Sequence, residues 1–333
     1  MSYVLSLLDK SPISPGQDAD SAFAQTIALA QRAEELEYNR FWVAEHHGSS
    51  LVAGAAPEIL VAYILAKTRR IRVGTGGVML QHYSPYKVAE VFRVLAALAP
   101  GRVDVGIGKA PGGLPFTTRA LQAYRDRTCK PEFADQLAEL DAFLGDSVGA
   151  DHPLAGAVAS PAPAVAPERI LLGGSPESAE LAADLGWDFT YAGHFNGDPA
   201  NIELSFDVYQ RRTGRVPSLA LYALAAESED AAQKLVGPLR SYKVHLATGQ
   251  SVNVGSLEQA AEFARQAGAT DYVTEERRPH VISGTPDHVR RELDQLSRRF
   301  GVSEFVIDAP VPDFAERLAS IELLAGRSRS AAA

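Results

Sequence analysis

Short runs of β-type apolar residues alternate with helical stretches along almost the whole chain. The runs at residues 4–7, 41–44, 71–75, 103–107, 170–172, 189–191, 219–223 and 305–307 are too short for helices. Their near-continuous hydrophobicity reads as buried parallel strands. Between them, apolar residues recur at three- and four-residue steps. Phe23, Ile27, Ala30, Ala33 and Leu36 form one such stripe, and Val88, Val91, Leu95 and Leu98 another. Val289, Leu293, Leu296 and Phe300 repeat the spacing, as do Phe314, Leu318, Ile321 and Leu324, which predicts amphipathic helices. Eight strands alternating with helices and ending on a helix predict an α/β fold of the (β/α)8 TIM-barrel type. The competing architecture, a doubly wound open sheet, usually carries a glycine-rich fingerprint after its first strand. Here that place holds Asp9-Lys10-Ser11-Pro12.

Two intervals exceed a minimal βα unit. Residues 150–167 are rich in Ala, Pro and Gly and read as a surface loop. Residues 228–284, between the seventh and eighth strands, carry more than one helical pattern plus His245-Leu246-Ala247-Thr248-Gly249-Gln250. Insertions on this face are where lids and specificity reside. The expected organisation is one barrel domain over residues 1–326, with residues 327–333 a frayed tail.

Length and composition fit this picture: 333 residues, 46% hydrophobic and 22% charged. The single cysteine, Cys129, excludes an intrachain disulfide framework and a Cys-rich zinc site, and fits a cytoplasmic location. A net charge of −9, spread along the chain, argues against nonspecific nucleic-acid or anionic-membrane binding. The start lacks a basic region ahead of its apolar run, so no signal peptide is expected. No apolar stretch approaches the roughly 20 residues of a membrane helix.

The chemistry gathers at the carboxyl ends of the strands. Phe41-Trp42-Val43-Ala44 stops on Glu45-His46-His47. Adjacent strand residues face opposite ways, so the two histidines do not share a metal while the strand stays regular. A histidine at the barrel mouth suits proton transfer near neutral pH, with Glu45 fixing its tautomer or orientation. Loop hydrogen bonding alone would also account for these residues. The third strand ends Gly74-Thr75-Gly76-Gly77, where glycines let a ligand lie close to the backbone. The fourth ends Gly106-Ile107-Gly108-Lys109, which puts a cation at the same rim. After the fifth comes Gly173-Gly174-Ser175-Pro176-Glu177-Ser178. Ser175 reads as an N-cap and Pro176 as the first helical residue, so free N–H groups, two glycines and two hydroxyls form a candidate anion site. An ordinary capped helix explains the same residues, and Glu177 would repel a phosphate if it pointed inward. The sixth strand adds Gly193-His194-Phe195-Asn196. Together these features describe a site for a phosphorylated cofactor beside an acid/base group.

The segments Phe41-Trp42-Val43-Ala44-Glu45-His46-His47-Gly48, Gly74-Thr75-Gly76-Gly77-Val78-Met79-Leu80 and Gly101-Arg102-Val103-Asp104-Val105-Gly106-Ile107-Gly108 resemble the bacterial luciferase-like flavin-dependent monooxygenases. Leu172-Gly173-Gly174-Ser175, Ala192-Gly193-His194-Phe195 and Gly284-Thr285-Pro286-Asp287-His288-Val289 fit as well, so the likeness spans nearly the whole chain. It is nearer to members of unassigned substrate than to the light-emitting subunits. The resemblance implies reduced FMN as co-substrate, delivered by a separate NAD(P)H-dependent flavin reductase. Oxygenation of a small organic molecule would then proceed through a flavin 4a-hydroperoxide, in a protein that is commonly a homodimer. It assigns His46 to acid/base catalysis and Gly76-Gly77 to a non-proline cis peptide against the flavin. Gly173, Gly174, Ser175 and Ser178 are assigned to the phosphate. Lys109 stands where close relatives usually carry arginine, and a lysine is a point charge, not a bidentate fork. Two other functions occur in the same superfamily: hydride transfer with a deazaflavin, and a non-catalytic flavin-binding subunit.

Overall fold

The computed structural model describes residues 3–124 and 131–325. Cys129 and the tail expected to fray lie outside them. In chain order the first strands are β1 (Val4–Asp9), β2 (Arg40–Val43), β3 (Arg72–Thr75), the two-residue β4 (Val78–Met79) and β5 (Val103–Gly108). β6 (Glu168–Gly173), β7 (Asp188–Ala192) and β8 (Ser218–Ala225) follow. Then come β9 (Ser241–Leu246), β10 (Ser251–Val254), β11 (Tyr272–Arg277), β12 (Val281–Gly284) and β13 (Glu304–Asp308). Parallel pairing runs β1–β2–β3–β5–β6–β7–β8–β13 and back to β1, which closes the predicted barrel. β4 resumes beside β5 after a break at Gly76-Gly77, and β12 is an extra parallel strand beside β8.

Alternation sorts each strand into an outer and an inner set. Outward residues such as Leu7, Phe41, Val73, Val105, Leu171, Phe189, Leu219 and Phe305 pack with the helices in the main core. Inward, Leu8, Trp42, Ala44, Ile170, Ala220 and Val306 make a separate apolar plug. Below the plug lies a charged floor. Arg40 contacts Asp104 at 3.1 Å, Glu168 at 2.7 Å and Glu304 at 2.8 Å, and the Trp42 indole donates to Asp104 at 2.8 Å. Burial pushes the Asp104 pKa up, and Arg40 and Arg72 oppose that without cancelling it. Tight approach demands glycine here: a Cβ on Gly106 would sit 1.8 Å from the Thr75 carbonyl oxygen.

The connecting helices are α1 (Ala19–Glu35), α2 (Pro57–Lys67), α3 (Pro85–Leu98), α4 (Pro115–Leu121), α5 (Phe133–Leu144) and α6 (Pro176–Asp184). α7 (Pro199–Thr213), α8 (Glu229–Val236), α9 (Leu257–Ala267), α10 (Pro286–Phe300) and α11 (Phe314–Ala325) complete the set. The expected stripe on α3 holds except at its last residue, where Leu98 is 74% exposed. The interval 150–167 contains no helix or strand, as expected for a loop. It is tied down by Ala159, which is buried, and by the Arg93 guanidinium donating to the Pro161 carbonyl at 2.7 Å. Among the described residues, no helix is long and apolar enough to cross a membrane.

The insertion before β13 holds more than helices. β10, β9 and β11 form an antiparallel three-stranded sheet that the helical reading passed over. Val244, Leu246 and Val254 pack against Ala260, Phe263 and Ala264 of α9, with Leu114 at the edge of the cluster. The Phe116 amide donates to Gln266 at 2.8 Å, and the Arg265 and Arg119 guanidiniums lie 5.2 and 4.3 Å from the Phe116 ring centroid. The insertion therefore rests on the segment that follows β5.

Candidate functional site

The residue two beyond each inward position faces the same way. Above Leu8, Ala44, Ala192, Ala220 and Val306, this rule puts Lys10, His46, His194, Tyr222 and Asp308 at the carboxyl mouth of the barrel. Their contacts agree. Lys10 Nζ lies 2.6 Å from Asp308 Oδ2, donates to the Tyr222 hydroxyl at 3.1 Å, and sits 4.8 Å from that ring's centroid. The Tyr222 ring is in turn 5.5 Å from the His194 ring. Burial alone would lower the Lys10 pKa, but Asp308 and Tyr222 outweigh it and hold the ammonium above the ordinary lysine range.

The two histidines go the other way. Burial, reinforced by the Lys10 charge, drops His46 to about 4, with Asp308 opposing. Burial and Lys10 drop His194 to about 3, against the pull of the Ala220 carbonyl. Each ring keeps part of its surface at the mouth, yet each Nδ1 is buried with no hydrogen-bond partner. Both are neutral at pH 7, able to donate through one nitrogen and accept through the other. His46 is thus a base or hydrogen-bonding group at neutral pH, and its proton equilibrium lies well below the near-neutral range expected from its type.

Glu45 does not serve His46. Its Oε1 lies 2.6 Å from His47 Nε2 and accepts from the Tyr83 hydroxyl at 2.8 Å, while Oε2 accepts from the Met79 amide at 2.9 Å. It therefore orients His47 and fastens the end of β2 to the segment around β4. The expectation that Glu45 fixes a histidine is met at His47, whose side chain shares its face of the strand, and not at the mouth-facing His46.

The Gly76–Gly77 peptide is cis. A Cβ on Gly77 would lie 2.7 Å from the Gly106 oxygen, and one on Gly76 would lie 2.7 Å from Leu8 Cδ1, so close packing against β5 and the plug demands glycine at both positions. After β6, Ser175 caps α6 and its Oγ accepts from the Ser178 amide, with 3.4 Å between the two hydroxyl oxygens. A Cβ on Gly173 would collide with the Ser178 side chain. Asn196 and Asn201 both donate to the Gly174 carbonyl, at 3.3 and 2.8 Å, which fixes this turn. Glu177 is exposed; the Ser175 hydroxyl holds its carboxyl below the usual range. Lys109 is also exposed, 5.7 Å from the Phe133 ring centroid, after the strand next to β6.

The structure thus gathers His46 with a group that sequence reasoning had not assembled: Lys10, Tyr222 and Asp308, joined by His194. Taken singly, each looks like a loop residue. Counting two positions beyond an inward strand residue would have found all of them.

Compared with known proteins, residues 2–304 match the family model described as luciferase-like monooxygenase. The N-acetyl-S-alkylcysteine monooxygenase of Bacillus subtilis is 42% identical over 324 residues, covering 96% of each chain. The crystal structure of apo-MsnO8 superposes with a TM-score of 0.77 at 32% identity, covering 98% of this chain and 97% of that one. The oxygenating constituent of 3,6-diketocamphane monooxygenase from Pseudomonas putida, solved in complex with FMN, has a TM-score of 0.69 at 18% identity. It covers 98% of this chain and 97% of its own, and at that identity the likeness is one of fold.

Proposed function

The chain belongs to the luciferase-like monooxygenase family, and from that premise we propose that it is an FMN-dependent monooxygenase that uses reduced flavin and dioxygen to oxygenate a small organic substrate. One observation carries the reading: the neutral, half-buried His46 and His194 have buried Nδ1 atoms with no hydrogen-bond partner at the barrel mouth. The residues present fit such a cofactor. Gly76 and Gly77, packed without side chains against Leu8 and the β5 backbone, would back the flavin ring at the break between β3 and β4. Ser175, Ser178 and the start of α6, beside Gly173 and Gly174, would take the phosphate. Lys109 would supply charge from the neighbouring strand end.

Reduced FMN would supply the electrons that activate dioxygen. The protein's part is to bind it, exclude water and manage protons. His46, uncharged and close to Lys10, can take a proton from the reacting centre and return it without titrating away at neutral pH. A separate NAD(P)H-dependent reductase would deliver the reduced flavin, and the protein would work as a homodimer. The N-acetyl-S-alkylcysteine named for the Bacillus subtilis relative is the first substrate class to try.

Anaerobic titration with reduced FMN, and separately with a reduced deazaflavin, tests the cofactor. Binding of the deazaflavin alone would overturn the proposal. His46→Ala should bind FMN as the wild type does but lose about 10²- to 10⁴-fold in turnover. Undiminished turnover would remove His46 from the chemistry.

A further inference from the structure

We propose that Lys10 and Tyr222 form a two-donor clamp for a carbonyl-type oxygen, carboxylate or amide, on the small molecule that enters the barrel mouth. The inference deepens the monooxygenase reading and rests on it for the clamp's occupant.

An ammonium carries three N–H donors and no acceptor. The Tyr222 hydroxyl, at 3.1 Å, accepts from one of them, and the Asp308 carboxylate, in ion-pair contact at 2.6 Å, faces another. The third meets no acceptor among the described residues. Because Tyr222 accepts from an ammonium that cannot accept in return, its own O–H proton is also free, and no described residue takes it. Two uncommitted donors therefore stand on atoms 3.1 Å apart.

They are accessible and held in place. The Lys10 side chain is 23% exposed, while its anchor Asp308 is 5% exposed. Tyr222 is braced by the His194 ring and, along the sheet, by its register with Asp308. Beneath them Leu8, Ala220 and Val306 offer only apolar surface, so the floor of the mouth supplies no acceptor and an entering molecule can. Only an acceptor completes both donors, and a hydrogen bond from the charged ammonium is among the stronger ones, which makes an oxygen acceptor the preferred occupant. A cation would meet the Lys10 charge instead.

The test uses the full chain labelled with ¹³Cζ-tyrosine, in which the Tyr222 resonance is the one lost in Tyr222→Phe. Acetate and acetamide are titrated as probes, with ethylamine as the cationic control. A saturable shift of the Tyr222 resonance with acetate alone assigns the clamp to carboxylates; a shift with acetamide as well assigns it to carbonyl oxygens in general. Lys10→Met should weaken either response about three- to tenfold or more, the loss expected for one charge-assisted donor. Should Lys10→Met fail to fold with Asp308 unpaired, Lys10→Met/Asp308→Asn removes both charges together. A Tyr222 resonance unmoved by both probes, or moved equally in the lysine variants, overturns the clamp. Reduced-FMN binding is measured on the same samples by fluorescence. Its absence beside an intact probe response would sink the flavin reading alone, and the converse would sink the clamp alone.

Discussion

Acidification should strike this protein first at the barrel mouth. His46 and His194 titrate in the unfolded chain near the ordinary 6.5, but in the fold their values fall to about 4 and about 3. Between those limits the unfolded state binds more protons than the native state, so stability falls as pH falls. It is fully present above about pH 6.5, declines through pH 5, and is exhausted below the folded values. For His46, a downward shift of about 2.5 units is worth about 3 kcal/mol at the acid limit, of which about 2 kcal/mol is already lost at pH 5. His194 loses about the same by pH 5. Water at the open edge of each ring screens part of this, and the two rings share Lys10, so about 4 kcal/mol together is an upper value. Against a typical total of about 5–15 kcal/mol, that is a large fraction. The assay is urea unfolding of wild type and His46→Gln/His194→Gln at matched pH values from 7.5 to 4.5. Every other group is common to both proteins, so the difference isolates the rings. The variant should have the flatter profile. Parallel profiles would show that the rings are not held neutral by their surroundings, and the account of the mouth would fail.

Glu45→Ala should lower stability by about 2–4 kcal/mol, because His47, Tyr83 and the Met79 amide lose their acceptor; an unchanged thermal midpoint would refute the tie. Gly106→Ala should give no soluble native protein, since its Cβ has no room beside Thr75, and a normal near-UV circular dichroism spectrum would contradict that. Ser175→Ala/Ser178→Ala should weaken reduced-FMN binding about tenfold, with about 1 kcal/mol lost from the α6 cap; an unaltered dissociation constant would remove the phosphate assignment. Lys109→Arg should tighten FMN binding if the side chain leaves Phe133 for the phosphate, whereas equal affinity in both would leave Lys109 outside the site.

The barrel was legible because its strands are buried on both faces and write themselves as short apolar runs. Even the boundaries differ little: β2 stops at Val43, while the Ala44 amide still donates to the Asp9 carbonyl at 3.0 Å. The insertion sheet was not legible in the same way. Tyr242, Val244 and Leu246 alternate over only a few residues, and the opposite face is solvated, so the signal is brief and sits next to a stronger helical one at α9. Leu98 shows the limit of a helical stripe: by the last turn of α3 the side chain has left the core. At the site, the strand end draws attention to two histidines, and the resemblance to the luciferase-like family singles out His46. Lys10, Tyr222 and Asp308 are residue types usual in loops, and each acquires meaning only from strands distant in sequence. The sequence sets Glu45 beside two histidines without saying which it serves, and alternation along the strand picks His47.

The sheet built from β9, β10 and β11 has a consequence for colloidal behaviour. β11 is an edge strand, and Tyr272 and Val273 on it are 38% and 67% exposed. Unpaired backbone next to uncovered apolar side chains is a template for pairing with another chain. The second half of the same strand, Glu275-Glu276-Arg277, is charged and exposed, and acts as a gatekeeper against such growth. Replacing Glu275 and Glu276 by threonine would keep the strand and remove the guard, and concentrated solutions of that variant should scatter light where the wild type stays clear.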